Sequence, residues 1–274
     1  MTINCKGNCI DLSTPKVMGI LNVTPDSFYD GGLYRNEAAI LKQVEKMLNE
    51  GATFIDVGAY SSKPNAKTIS ETEELQRILP IVKLLINNFP NIILSIDTFR
   101  SEVVKQAIEL GAALINDISA GALDPKMIET VAHLGTPYIM MHMRGTPQTM
   151  QQQTHYDNVL KDVLLYFSKR IAEARQFGMK DIIIDPGFGF AKTLEQNFEL
   201  LNVLEGFKIS DLPLLIGISR KSMIYKTLDA TPMDALNGTT ALNMVALQKG
   251  ASILRVHDVK EAMECVKLYG QLNA

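Results

Sequence analysis

Nine polar side chains share one kind of place in this sequence, the C-terminal end of a short apolar run. They are Asn22, Asp56, Asp97, Asn116, Asp185, Ser219, Arg255 and His257, with Lys221 just past Ser219. Burying an unpaired charge costs several kcal/mol, so a core strand carries one only where something compensates it. Side chains two apart on a strand point the same way. Arg255 and His257 therefore share a face, as do Gly217, Ser219 and Lys221, Asn116 and Ile118, and Ile183 and Asp185. The set places carboxylates and amides opposite Lys221, Arg255 and His257. A planar heterocycle offering both donors and acceptors suits that mixture, with an anion near Arg255 and His257. Asp56 reads as a structural carboxylate tying neighbouring strand ends.

The apolar runs that carry these groups cover residues 16–23, 53–58, 92–98, 113–119, 137–143, 181–188, 213–219 and 252–258. Each is short and nearly continuously apolar, the pattern of a parallel strand covered on both faces. Amphipathic stretches alternate with them. Residues 37–50 place Ala38, Leu41, Val44, Met47 and Leu48 at helical spacing before Gly51. Residues 101–110 are expected to open on Ser101 as a cap, and 156–177 and 193–204 end just before Gly178 and Gly206. Eight strands alternating with helices in one chain predict a single (β/α)8 TIM barrel over residues 1–274. Residues 3–12, turning at Lys6-Gly7-Asn8, predict a hairpin capping its N-terminal end. A doubly wound sheet is the runner-up, but no G-x-G-x-x-G turn follows the first strand. Three long connections, 24–36, 59–70 and 144–155, leave C-terminal strand ends and are candidate lids.

Composition excludes other classes. With 27 Lys+Arg against 30 Asp+Glu, bulk positive charge cannot hold nucleic acid. No apolar run reaches a membrane span and the N-terminus lacks a signal-peptide core, so a cytoplasmic protein is expected. Cys5, Cys9 and Cys265 are expected to be buried, reduced thiols. No H-E-x-x-H or Cys/His cluster offers a zinc site. Of the remaining histidines, His133 is expected on an exposed helix face, His155 in a loop and His142 in the core. The DPGFGF run at 185–190 reads as a tight turn exposing Phe188 and Phe190.

Six motifs carry a family resemblance: MGILNVTPDSFYDGG at 18–32, SIDTFR at 95–100, IND at 115–117, DPGFGFAKT at 185–193, GISRK at 217–221 and RVHD at 255–258. In order and spacing they resemble dihydropteroate synthases, across essentially the whole chain. The resemblance implies condensation of a dihydropterin pyrophosphate with p-aminobenzoate, with Mg²⁺, in a homodimer. It implies that Asp97, Asn116, Asp185 and Lys221 hydrogen-bond the pterin, that Arg255 stacks on it, and that Ile118, Met140, Gly217 and Phe190 wall the pocket. Asn22 and His257 would hold the pyrophosphate, with Asn22 beside Mg²⁺. Ser62, Pro64, Ser219 and Phe190 would form the aminobenzoate site, with Lys63 supplying charge in that loop. Asp97, Lys221, Arg255 and His257 would carry the chemistry, and Asp26, Ser27, Phe28, Asp30 and Gly31 the first lid. In the second loop Tyr60 stands where the family has an acid, serine and lysine replace threonine and arginine at Ser62 and Lys63, and Ala191 stands where glycine is common. A non-catalytic pterin-binding paralogue and a pterin-dependent methyltransferase are the alternatives. The first lid motif and the pyrophosphate cluster count against the methyltransferase, and intact Asn22, Lys221, Arg255 and His257 against the paralogue.

Overall fold

The computed structural model describes residues 1–23, 33–60 and 68–273, with the side chains of 33–36 left aside. The chain opens with a hairpin of β1 (Thr2–Cys5) and β2 (Asn8–Asp11), paired from Thr2 against Asp11 to Cys5 against Asn8. Its two-residue turn has positive φ at both Lys6 (53°) and Gly7 (84°), the backbone that matches strand twist in a tight hairpin.

Eight parallel strands follow, interleaved with helices: β3 (Lys16–Asn22), α1 (Leu33–Asn49), β4 (Phe54–Gly58), α2 (Glu71–Asn88), β5 (Leu94–Asp97), α3 (Ser101–Glu109), β6 (Leu114–Asp117), α4 (Met127–Leu134) and β7 (Tyr138–Met141). Then come α5 (Val159–Gln176), β8 (Ile182–Asp185), α6 (Leu194–Asn202), β9 (Leu215–Ile216), α7 (Ser222–Tyr225), α8 (Leu236–Gln248), β10 (Ile253–Val256) and α9 (Val259–Leu272). The sheet runs β8-β7-β6-β5-β4-β3-β10-β9, and the Ile184–Leu214 bridge brings β8 to the start of β9 and rounds the sheet into a barrel. The expected (β/α)8 architecture with its hairpin is the observed one.

Alternation along each strand builds two cores. Outward residues such as Ile55, Val57, Ile96, Ile115 and Ile184 pack under the helices with Val44, Ile78, Val104 and Phe167. Inward residues Met18, Phe54, Leu114, Ile139, Ile183, Leu215 and Ile253 fill the N-terminal half of the barrel, and Ile3, Cys5 and Leu12 of the hairpin close it from below. The hairpin is pinned there by Asn4 N–H donating to Asp181 Oδ2 (2.9 Å) and Lys6 Nζ to the Gly111 carbonyl (2.8 Å).

Several local expectations change. The helix expected from residue 37 begins at Leu33, and the one expected from 156 begins at Val159 with Asn158 as its cap. Ser101 is the first helical residue rather than the cap, and its N–H is satisfied instead by Asp124 Oδ2 at 2.7 Å. Thr193 does cap α6, with a reciprocal bond from Gln196. Cys5 and Cys265 are buried as expected, but Cys9 faces solvent on the outer strand of the hairpin.

Candidate active site

At the C-terminal end of the barrel a cavity of about 730 Å³ opens among Asn22, Asp97, Phe190, Gly217, Lys221, Arg255 and His257. Four strands deliver a polar residue one inward step above the apolar layer: Phe54 then Asp56, Leu114 then Asn116, Ile183 then Asp185, Ile253 then Arg255. The short strands end there, so these side chains sit at the mouth with low exposure.

Arg255 is the hub. Its Nε donates to Asp56 Oδ2 at 2.6 Å and its Nη2 to Asp97 Oδ2 at 2.8 Å. Asn116 Nδ2 also donates to Asp56 Oδ2, at 3.0 Å. Asp56 is fully buried, so it does tie strand ends together, and what it ties are two residues of the mouth. Its Oδ1 has no protein partner among the described residues, nor has Ser95 Oγ on the adjoining strand. Burial raises Asp97 to about 7, against the lowering effect of Arg255. Burial likewise raises Asp185, opposed chiefly by Lys221 and by the Gly187 N–H that Oδ1 accepts at 2.8 Å.

Lys221 approaches from the opposite wall. Its ammonium donates to the Phe188 carbonyl at 2.5 Å and lies 4.9 Å from the centre of the Phe190 ring, and burial lowers it to about 8. A side chain at Gly217 would meet Asp185 Oδ2, Lys221 Nζ and the Arg255 stem, all at 3.9 Å, so the missing Cβ leaves a slot among three functional groups. Ser219 accepts from the His257 N–H at 3.1 Å and lies 3.0 Å from His257 Nδ1. A hydroxyl oxygen can accept twice, so the direction of the Oγ–Nδ1 bond follows the tautomer of the ring. Burial and then Arg255 hold His257 down at about 4, so it faces the mouth neutral at pH 7.

Arg220 locks two motifs together with a bidentate pair to Asp258, Nε to Oδ2 and Nη2 to Oδ1, both 2.8 Å. Asp117 of the IND motif points outward, accepting from Ser119, Gly121 and Tyr138, and holds the following turn. Arg100 pairs with buried Glu74, which also accepts from Thr98 Oγ1 at 2.6 Å.

The structure thus brings Asp97, Asn116, Asp185, Lys221, Arg255, His257, Ser219, Gly217, Asn22 and Phe190 to one mouth, and Ile118 packs beside it with Phe190 and Ala191. Met140 is the exception. Its register partner is Ile184, so it points into the outer core, and Met141, opposite Asp185, faces inward instead. Phe188 is also buried rather than exposed, because the turn directs its ring into the outer core while Phe190 stays at the mouth. Asp26, Ser27, Phe28, Asp30, Gly31, Ser62, Lys63 and Pro64 lie outside the described residues. His142 is buried and His133 and His155 are exposed, away from the mouth. Sequence reasoning assigned no role to Lys192, buried beneath the DPGFGF turn. It also left Tyr60 without a partner, although Tyr60 lines the mouth and accepts from Gln148 Nε2 at 2.9 Å.

Such a mouth on such a barrel defines a class, the parallel-barrel enzymes that act on a small polar molecule at the C-terminal strand ends. The sequence pattern of the pterin binding enzyme family matches residues 18–257. The chain is 44% identical to the dihydropteroate synthase of Escherichia coli over 270 residues, covering 98% of this chain and 95% of that one. Among solved structures it resembles the Yersinia pestis dihydropteroate synthase in complex with a sulfonamide drug, with a TM-score of 0.93 and 41% identity over 100% of this chain and 99% of the other. A Xanthomonas albilineans dihydropteroate synthase with 4-aminobenzoic acid gives 0.92 and 36%, over 100% and 98%. The chain belongs to the dihydropteroate synthase family of pterin-binding enzymes.

Proposed function

We propose that this protein condenses 6-hydroxymethyl-7,8-dihydropterin pyrophosphate with p-aminobenzoate, giving dihydropteroate and pyrophosphate. The observation that carries the reading is the slot at Gly217, bounded by Asp185, Lys221 and Arg255 and continuous with Asp97. A flat pterin there presents its 2-amino and ring N–H groups to carboxylates and its 4-oxo group to Lys221. The Arg255 guanidinium, held by two carboxylates, offers its face to the ring and its charge to the leaving pyrophosphate. His257 adds a neutral imidazole beside it. The proposed chemistry needs no protein nucleophile. Breaking the C–O bond leaves a pterin-methylene cation, steadied by Asp97 and Asp185, which the arylamine attacks while Arg255 and His257 hold the departing anion.

A bound Mg²⁺ belongs to this proposal. The donor set fits it: Asn22 offers a hard amide oxygen at the mouth, and Mg²⁺ is usually bound through a few protein oxygens together with substrate phosphates and waters. When bound it supplies charge for the pyrophosphate, and Asn22 would hold it. The lid and aminobenzoate roles of Asp26, Ser27, Phe28, Asp30, Gly31, Ser62, Lys63 and Pro64 are carried over from the resemblance. A homodimer in the cytoplasm is proposed on that resemblance too. Among the described residues no helix is long and apolar enough to cross a membrane. Pyrophosphate release, measured with and without p-aminobenzoate, tests the function: release that requires both substrates is expected, and no release with both present overturns it.

A further inference from the structure

Lys192 takes no part in the reaction proposed above, yet it is 4% exposed and lies directly beneath the site. Its ammonium donates to His142 Nδ1 at 3.0 Å, to the Gly187 carbonyl at 3.0 Å and to the Phe190 carbonyl at 3.1 Å. An ammonium has three N–H donors, so three acceptors complete its shell. In this geometry it neither grips a ligand nor serves as a nucleophile. His142 must present Nδ1 as an acceptor, which places the ring proton on Nε2. Burial and the neighbouring charges of Lys192 and Arg144 keep that ring neutral.

Two lysines therefore hold one turn from opposite sides. Lys221 takes the Phe188 carbonyl from the mouth, and Lys192 takes the carbonyls of Gly187 and Phe190 from within. The turn is pressed hard onto β7: a Cβ at Gly187, where φ is 72°, would fall 2.1 Å from the His142 carbonyl oxygen. Among the described residues no carboxylate accepts a hydrogen bond from Lys192. The carboxylate its charge acts on is Asp185, at the head of the same turn.

We propose that Lys192 is a positioning residue for the pterin site, keeping the Asp185 carboxylate ionised and the Phe190 ring at the mouth. The inference rests on the reading that Asp185 accepts from the pterin edge. Burial raises Asp185, while Lys221, the Gly187 N–H, Arg255 and Lys192 oppose that rise. The other titratable or charged groups around the pair are His142 just past β7, Arg144 beyond it, and Asp97 and Asp56 joined through Arg255. Burial lowers Lys192 to about 7, so its charge is in place on the acid side of neutrality, where Asp185 needs it.

The test is calorimetric affinity for 6-hydroxymethylpterin between pH 5 and 8, on the wild type, Lys192→Met, Lys192→Gln and Lys192→Arg. Affinity falls on the acid side as Asp185 and Asp97 take up protons, and Lys192 acts on the Asp185 part of that fall. Both neutral variants are expected to move that fall upward by about half to one pH unit, roughly a three- to tenfold loss at pH 6, while Lys192→Arg keeps the wild-type position. Lys192→Gln still offers donors to the turn and carries the test where Lys192→Met does not fold. A purely structural lysine would lower the melting temperature or weaken binding equally at every pH. An acid fall left in the wild-type place in a folded neutral variant overturns the proposal. Asp185→Asn separates the two readings. If it leaves affinity intact, the pterin assignment fails and this inference with it; if it abolishes binding while the Lys192 variants keep the wild-type profile, this inference fails alone.

Discussion

The two ends of this barrel are built from the same strands and obey opposite rules. At the N-terminal end, Met18, Phe54, Leu114, Ile183 and Ile253 make an apolar plug sealed by the hairpin. One inward step along, Asp56, Asn116, Asp185 and Arg255 make a polar layer in which carboxylates and cations are held with little water. Burial favours folding in the first layer and opposes it in the second, where the ion pairs offset only part of the desolvation. The stabilising end of the fold thus carries the cost of the functional end, two residues away on the same strands.

The sharpest way to test that division is Phe54→Ala, at a fully buried position. It should lower stability by about 3–5 kcal/mol with little dependence on pH. Pterin affinity of the folded protein should stay near wild type, as denaturant titration and calorimetry together would show. Asp185→Asn should do the reverse. Losing charge-assisted acceptance is worth about 1.5–3 kcal/mol, so pterin affinity should fall tenfold or more at a near-native melting temperature.

Asp97 sets the pH dependence of the polar layer. Burial raises it from 3.8 to about 7, so between those values the folded chain holds more proton than the unfolded one. Its contribution to stability is therefore full below about pH 4 and is lost as pH rises toward 7. Asp97→Asn should escape that loss and gain on the wild type across the window, by on the order of 2 kcal/mol at pH 7. Urea titrations of both at pH 4.5 and 7 give the difference, and His257, titrating alike in both, cancels. The smallest expected effect lies at the rim. Tyr60→Phe and Gln148→Ala each delete the same exposed hydrogen bond between the end of β4 and the loop after β7. Each should raise the KM for p-aminobenzoate about two- to threefold, and the double variant no further.

The barrel was legible because each short apolar run closes on a polar residue, a pattern with few structural solutions. The strands are shorter than those runs, trimmed at one end or both where pairing stops. Arg255, Asp185 and Asn116 were legible from parity on their own strands. Met140 was assigned by resemblance rather than by parity, and one residue of register put Met141 in its place. Lys192 gave no local signal, because its meaning depends on His142, fifty positions away in sequence. Asp56 was half legible: its burial was foreseen, but the Arg255 it holds comes from the far end of the chain.

The hairpin has a consequence for how the chain is made. Residues 2–11 leave the ribosome before any strand of the barrel, but the floor they dock against includes Ile253 of β10. Until β10 has been synthesised, Ile3, Cys5 and Leu12 lack part of that surface. A segment translated ahead of the barrel is thus among the last to find its complete place, and its docking reports that the barrel has closed.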